Sequence, residues 1–128
     1  MELKLDDNMP IYVQIMSRVR ESIASGELAP GERVASVREL AADFEVNPNT
    51  MQRALTELER EGLLISERTA GRFVTTDRKL ILQLKQQAAE EAADAFRREM
   101  GALGFSDEEM VEFFLKRCES VRTEERIG

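Results

Sequence analysis

Apolar residues recur at helical spacing in several separate stretches of the chain. Ile11, Ile15, Val19 and Ile23, with Tyr12 and Met16 beside them, mark one face of a first helix. Asn8 or Met9 is placed to cap it, with Pro10 in its first turn, where a missing N–H costs nothing. Ser25 to Gly31 stops that helix, with Gly26 as its C-terminal cap. Arg33-Val34-Ala35 reads as a short extended segment. Leu40, Ala41 and Phe44 form the stripe of a second helix, which Ser36 caps and Glu39 completes as a capping box. Glu45-Val46 is a turn. Asn47 then caps a third helix whose first residue is Pro48. Met51, Ala54, Leu55 and Leu58 face inward along it, and Gly62 ends it.

Past Gly62 the pattern changes. Leu63 to Ser66 and Arg72 to Thr75 read as two strands, joined as a hairpin by the loop from Glu67 to Gly71. Residues 77–100 contain no Gly or Pro and are rich in helix formers. Leu80, Ile81, Leu84, Ala88, Ala92, Ala95 and Phe96 make one stripe. Gly101-Ala102-Leu103-Gly104 breaks this helix. Ser106 and Glu109 form a second capping box, with Asp107 and Glu108 suited to the helix dipole. Met110, Phe113, Phe114, Cys118 and Val121 continue as a last helix, and Arg122 to Gly128 reads as a frayed end. The expected fold is mainly α with a small β-hairpin wing. Residues 1–75 form a winged helix-turn-helix head, and residues 76–128 a two-helix dimerisation tail.

Composition narrows the class. The 42% hydrophobic content supports a packed core, but aromatics are only 5% and Trp is absent, so aliphatic side chains and Met carry the packing. No apolar run approaches the length needed to span a bilayer, so no membrane partner is expected. The N-terminal stretch lacks a basic region followed by an apolar block, as a signal peptide would have. The single cysteine, Cys118, excludes an intrachain disulfide framework and fits a reducing cytoplasm. Histidine is absent, so there is no His-based general base and no His metal site. No phosphate-binding glycine loop or Cys pair for zinc occurs. Neither enzyme activity, a metal nor a cofactor is expected.

Three helices followed by a hairpin would send the third helix into a DNA major groove by its N-terminal residues. The opening Asn47-Pro48-Asn49-Thr50 offers free N–H groups to a phosphate. Asn49 and Gln52 have the chemistry to pair with adenine edges, and Arg53 to reach guanine or a phosphate. Arg38 projects from the second helix toward the backbone. Arg68 and Arg72 flank the wing turn and suit the adjacent minor groove. Net charge opposes all this. It is −7 overall, and residues 1–75 carry nine cations against thirteen acids. Binding must therefore rest on a local arginine cluster and depend steeply on salt.

The ordered motifs Pro10-Ile11-Tyr12-x-Gln14-Ile15, Ser25-Gly26-Glu27-Leu28-x-Pro30-Gly31, Ser36-Val37-Arg38-Glu39-Leu40-Ala41, Val46-Asn47-Pro48-Asn49-Thr50 and Leu58-Glu59-x-x-Gly62-Leu63-Leu64 resemble the GntR family of bacterial transcription regulators. The short helical tail resembles its YtrA-type subgroup. The resemblance implies an N-terminal winged helix that binds an operator and a C-terminal part that dimerises. It nominates Arg38, Asn49, Thr50, Gln52, Arg53, Arg68 and Thr69 as DNA contacts. Two departures stand out. Ala35 replaces a family proline before Ser36, and Thr69 replaces a wing glycine.

Simpler readings compete at several positions. Arg38 could pair with Glu39 or Asp43, and Arg53 with Glu57 four residues on. Asn49 and Gln52 could be solvated. The tail stripe is larger than the tail can cover, so a second copy is expected to bury it. Leu80, Leu84, Ala88, Ala92 and Phe96, with Phe113 and Phe114, are its candidates. Cys118 reads as a small buried hydrophobe. The resulting expectation is a homodimeric, cytoplasmic regulator, a repressor reading a palindromic double-stranded DNA operator. A small-molecule effector would have to sit at an interface, because the tail is too small for a deep enclosed pocket. The rival reading is a winged-helix protein–protein interaction module.

Overall fold

The computed structural model describes residue 3 and residues 6–127. Met1, Glu2, Lys4, Leu5 and Gly128 lie outside the described residues, and so do parts of the N-terminal stretch weighed against a signal peptide. The order is α1 (Ile11–Ser25), α2 (Val37–Phe44), α3 (Pro48–Arg60), β1 (Leu64–Glu67), β2 (Gly71–Val74), α4 (Arg78–Ala102) and α5 (Asp107–Ile127). Two compact units result, Met1–Ala88 and Ala89–Gly128.

In the first unit the three short helices share one core. Ile15, Val19 and Ile23 of α1, Leu40, Ala41 and Phe44 of α2, and Met51, Ala54, Leu55 and Leu58 of α3 are all buried. Each large side chain so buried contributes roughly 1.5–3 kcal/mol. Leu63, Leu64 and Val74 close the core from the hairpin side. The entry to α1 differs from expectation. Pro10 is the N-cap, with no side-chain cap. The work falls to Gln14, whose amide donates to the Asp6 and Met9 carbonyls at 2.7 and 2.9 Å and accepts from the Asp6 N–H. Gln14 is itself buried, so these bonds hold the approach segment down.

Local capping signals fix the other helices. Ser36 Oγ accepts from the Glu39 N–H at 3.2 Å. Glu39 returns not to the Ser36 N–H but to its hydroxyl, so this capping box is half made. The replacement of proline by Ala35 leaves that cap intact. Helices α2, α3 and α4 all end in a Schellman motif. Val46 N–H bonds the Ala41 carbonyl, Leu63 N–H that of Leu58, and Phe105 N–H that of Met100. The left-handed residue is Gly62 for α3 and Gly104 for α4, but Glu45 for α2, with φ 58.

The hairpin pairs Leu64↔Val74, Ile65↔Phe73, Ser66↔Arg72 and Glu67↔Gly71. Both strands start one residue from where the sequence pattern puts them, because Glu67 and Gly71 still pair and the loop shrinks to Arg68-Thr69-Ala70. The expected extended segment docks beside β2, with an Arg33↔Phe73 bridge and Val34 N–H bonded to the Arg72 carbonyl at 2.9 Å.

Thr75 is buried, its N–H bonded to the Leu63 carbonyl and its hydroxyl accepting from Asp77 N–H. Asp77 then caps α4 through the Lys79 and Leu80 N–H groups. The start of α4 packs back on the first unit, where Leu80, Ile81 and Leu84 lie against the core. In the second unit α4 runs through Gly101 and Ala102 rather than breaking there. Only Met100 and Met110 are buried among its described residues. Ser106 and Glu109 make a reciprocal capping box at 2.9 and 3.2 Å. The end read as frayed, from Arg122, continues as helix to Ile127. No helix among the described residues is long and apolar enough to cross a membrane.

Candidate nucleic-acid interface

The opening of α3 presents polar groups on a rigid support. Asn47 Oδ1 accepts from the Asn49 N–H at 2.8 Å, and Pro48 follows as first helical residue. That oxygen is thereby occupied as a cap. Asn49, Gln52 and Arg53 are exposed, and Thr50 is half-buried. Gln52 donates to Thr56 Oγ1 at 3.1 Å, which orients its amide along the helix. The expected competitor for Arg53 is otherwise engaged, since Glu57 accepts from Arg60 at 2.8 Å. The Arg53 guanidinium lies instead over the Tyr12 ring, 3.8 Å from its centroid.

Arg38 is exposed on α2 and makes no ion pair among the described residues. Glu39, one of its two possible partners, bonds Ser36 instead. At the wing, Arg68 and Thr69 are exposed on the three-residue loop, closed by an Ala70 N–H bond to the Glu67 carbonyl at 3.2 Å. The left-handed residue is Gly71, with φ 108. Thr69 carries no positive φ, so its replacement of a family glycine costs no backbone strain. Gly71 is needed twice over, since a Cβ there would lie 3.1 Å from Arg33 Nε. Arg33, the start of α2 and the wing line one open groove of about 700 Å³.

Arg72 is the candidate the structure relocates. It turns back to α3 and donates from Nε to Glu59 Oε1, which also accepts from Ser66 Oγ at 3.0 Å. The Arg72 side chain is only 19% exposed. It points away from the wing tip because β2 alternation sends it to the α3 side.

Pairing divides the arginines of the head into two sets. Arg18, Arg20, Arg60 and Arg72 are tied to Glu27, Glu61, Glu57 and Glu59. Arg33, Arg38, Arg53 and Arg68 have no carboxylate partner among the described residues. The second set lies on the segment beside the wing, α2, α3 and the wing loop. Sequence reasoning missed Arg33, Tyr12 and Glu59. Arg33 had one usable signal, its place in the extended segment beside the hairpin. The other two act across long sequence separations.

The tail candidates fall into different surroundings. Leu80 and Leu84 are half-buried on the head core, and Leu80 Cδ2 lies 3.6 Å from where a Cβ on Gly62 would stand. The head thus covers the first turns of a stripe that sequence reasoning left for a partner. Ala88 and Phe96 are half-buried and Ala92 is exposed. Phe96 meets Phe114, and Phe105 meets Phe113, edge to face with centroids 5.6 Å apart. Phe113 and Phe114 nonetheless stay about half exposed, beside Val111 and Leu115. Cys118 is half-buried. The Arg97 guanidinium grips Asp107 with two bonds of 3.2 Å and holds its carboxyl below the usual range. The Ser106 N–H does the same for Glu109.

Residues 11–74, from α1 to the end of β2, match the family described as bacterial regulatory proteins, gntR family. The chain is 36% identical over 112 residues to the uncharacterized HTH-type transcriptional regulator YhcF of Bacillus subtilis (strain 168), covering 88% of this chain and 93% of that protein. A GntR family transcriptional regulator from Listeria monocytogenes superposes with TM-score 0.78 at 38% identity, over 88% of this chain and 98% of that one. The AraR DNA-binding domain in complex with operator ORX1 superposes with TM-score 0.53 at 29% identity, over 59% of this chain and 95% of that domain.

Proposed function

The chain belongs to the GntR family of bacterial regulatory proteins, and from that premise we propose that it is a sequence-specific DNA-binding regulator of transcription that acts as a homodimer. The observation that carries the reading is the division of the arginines. Among the described arginines of the head, those without a carboxylate partner are on α2, α3 and the wing side, where a winged helix meets DNA. A solved AraR DNA-binding domain of similar fold is in complex with its operator, which supports DNA as the ligand.

In this reading α3 enters the major groove. Asn49, Gln52 and Arg53 face base edges, with Thr50 at the adjoining phosphate. Arg38 and the N–H groups at the start of α3, ordered by Asn47, hold the backbone. Arg68 and Thr69 follow the neighbouring minor groove, with Arg33 behind them. Arg72 fixes the wing on α3 instead of touching DNA. Residues 1–75 serve binding and residues 76–128 dimerisation. The exposed Val111, Phe113, Phe114 and Leu115, with Ala88, Ala92 and Phe96 on α4, form the partner surface. Two heads then read a palindrome about one helical turn apart and repress from it, in the cytoplasm. An effector would act through the tail, where α4, α5 and the loop between them line an open groove of about 480 Å³.

Selection of bound sequences from a random duplex pool, followed by affinity measurement across salt, tests the reading. The expected outcome is a two-fold symmetric site whose binding weakens steeply with salt. Selection of no sequence would overturn it and leave the protein–protein interaction module. A site with no symmetry would overturn the dimer alone.

A further inference from the structure

We propose that Tyr12 is a positioning residue that sets what Arg53 reads, so that base specificity at one operator position depends on a side chain of α1. The inference rests on the proposal that α3 reads DNA. Its own evidence is the stack: the Arg53 guanidinium carbon lies 3.8 Å from the Tyr12 ring centroid. An arginine on an exposed helix face ordinarily samples many rotamers, and ordering it on binding costs affinity. A face-on ring attracts the cation and removes part of that cost beforehand.

Three features make the platform firm. Tyr12 is half-buried against the core, so its ring has a fixed place. Helix α1 is the element most closely packed on α3, which fixes the distance between the two side chains. Glu57, four residues along α3, is held by Arg60 and does not draw Arg53 down the helix. A stacked guanidinium keeps its N–H edge open, and that edge is what a guanine takes bidentately. Arg53 thus meets DNA already oriented, and Tyr12 decides the orientation without touching a base.

The test uses the full chain and the site it selects from a random duplex pool. Affinities are measured for that site and for its single-base variants, with Tyr12→Phe, Tyr12→Leu and Tyr12→Met. The Phe variant keeps the ring, and Met keeps bulk without a π face. Tyr12→Leu and Tyr12→Met are expected to weaken the selected site roughly three- to tenfold, flattening preference at one base pair of each half-site. Tyr12→Phe stays near the parent. In an Arg53→Ala background, Tyr12→Leu adds no further loss. Arg53 side-chain protons, seen by NMR without DNA, carry a ring-current shift that Tyr12→Leu abolishes and Tyr12→Phe retains. Equal losses with and without Arg53, a Phe variant as weak as Leu, or tighter binding by Tyr12→Leu would overturn the inference while leaving DNA reading intact. If the parent chain selects no sequence, the underlying reading falls and takes the inference with it.

Discussion

Glu59 accepts from Arg72 and Ser66 at once, so Glu59→Gln separates the contribution of that carboxylate to folding from its effect on DNA. Gln keeps an acceptor for both donors and removes only the charge. The two side chains are 27% and 19% exposed, neither fully solvated nor buried. Exposed pairs are worth about 0–1 kcal/mol and charge-assisted hydrogen bonds about 1.5–3 kcal/mol. Partial burial puts the loss near 1 kcal/mol. The effect on DNA has the opposite sign. In the parent, Glu59 neutralises Arg72 and keeps it from a phosphate. With Gln, one more cation is available to a phosphate. Each phosphate neutralised steepens the log–log salt slope by about 0.9, which at about 0.15 M salt corresponds to roughly fivefold tighter binding.

Urea denaturation gives the first number, as a lower midpoint at unchanged m. Fluorescence anisotropy on a labelled operator across salt gives the second. The expected outcome is a weaker fold together with tighter binding and a steeper slope. A slope that stays as in the parent would refute the assigned role of Glu59, because Arg72 would then be no nearer a phosphate without that charge. An unmoved urea midpoint would refute it equally.

Leu58, fully buried on α3, should cost about 2–5 kcal/mol when cut to Ala, read as a lower urea midpoint. Gly71→Ala meets both a left-handed backbone and Arg33. It should destabilise by more than about 1 kcal/mol and weaken operator binding, whereas Thr69→Gly should change stability by less, because Thr69 has no positive φ. Phe114→Asp puts a charge on the proposed partner surface and should turn dimers into monomers in sedimentation, with weaker operator binding. Asp107 and Glu109 have carboxyls held below the ordinary value of about 4. Their stabilisation is complete above that value and is lost as pH falls through the lowered ones. Tail helicity by circular dichroism should therefore drop in acid, and Glu109→Gln should flatten that dependence.

What the sequence made legible is local. The caps at Ser36, Asn47 and Ser106 and the inward face of Met51, Ala54, Leu55 and Leu58 follow from spacings of three and four residues. The exposed polar face of α3 followed as the complement of its buried face. The strand bounds shifted by one because Glu67 and Gly71 can be loop or strand alike, and the pairing that decides between them lies across the turn. Pro10 was misplaced by one position because the bonds ordering its entry come from Gln14, a residue that periodicity assigns only to a helix face. Leu80 and Leu84 were given to a partner because their stripe runs unbroken into Ala88 and Ala92. Where a stripe passes from one neighbour to another is not written in its period. Arg72 shows the same limit, since its partner is on α3.

The acidic balance of the head looks adverse to DNA only when every charge is counted alike. Glu27, Glu57, Glu59 and Glu61 each hold an arginine, so those pairs contribute little field at a distance and instead fix helix ends and the wing. What is left on the α2, α3 and wing side is Arg33, Arg38, Arg53 and Arg68. Arginine suits that task because its fork takes phosphate or guanine with two bonds at once. The remaining acids still repel the duplex at long range, and that repulsion penalises non-specific contact, where few bonds compensate it. In the proposed reading, an operator that engages all four arginines gains enough local contact to overcome it. On this argument the acidic background lowers affinity for all DNA but lowers it most, in relative terms, for DNA that fits badly. Neutralising an acid outside the arginine pairs, such as Glu67→Gln at the wing base, should therefore raise non-specific affinity more than operator affinity. Parallel titration of the selected operator and a scrambled duplex measures the ratio. A ratio that rises would show that the acids do not contribute to discrimination.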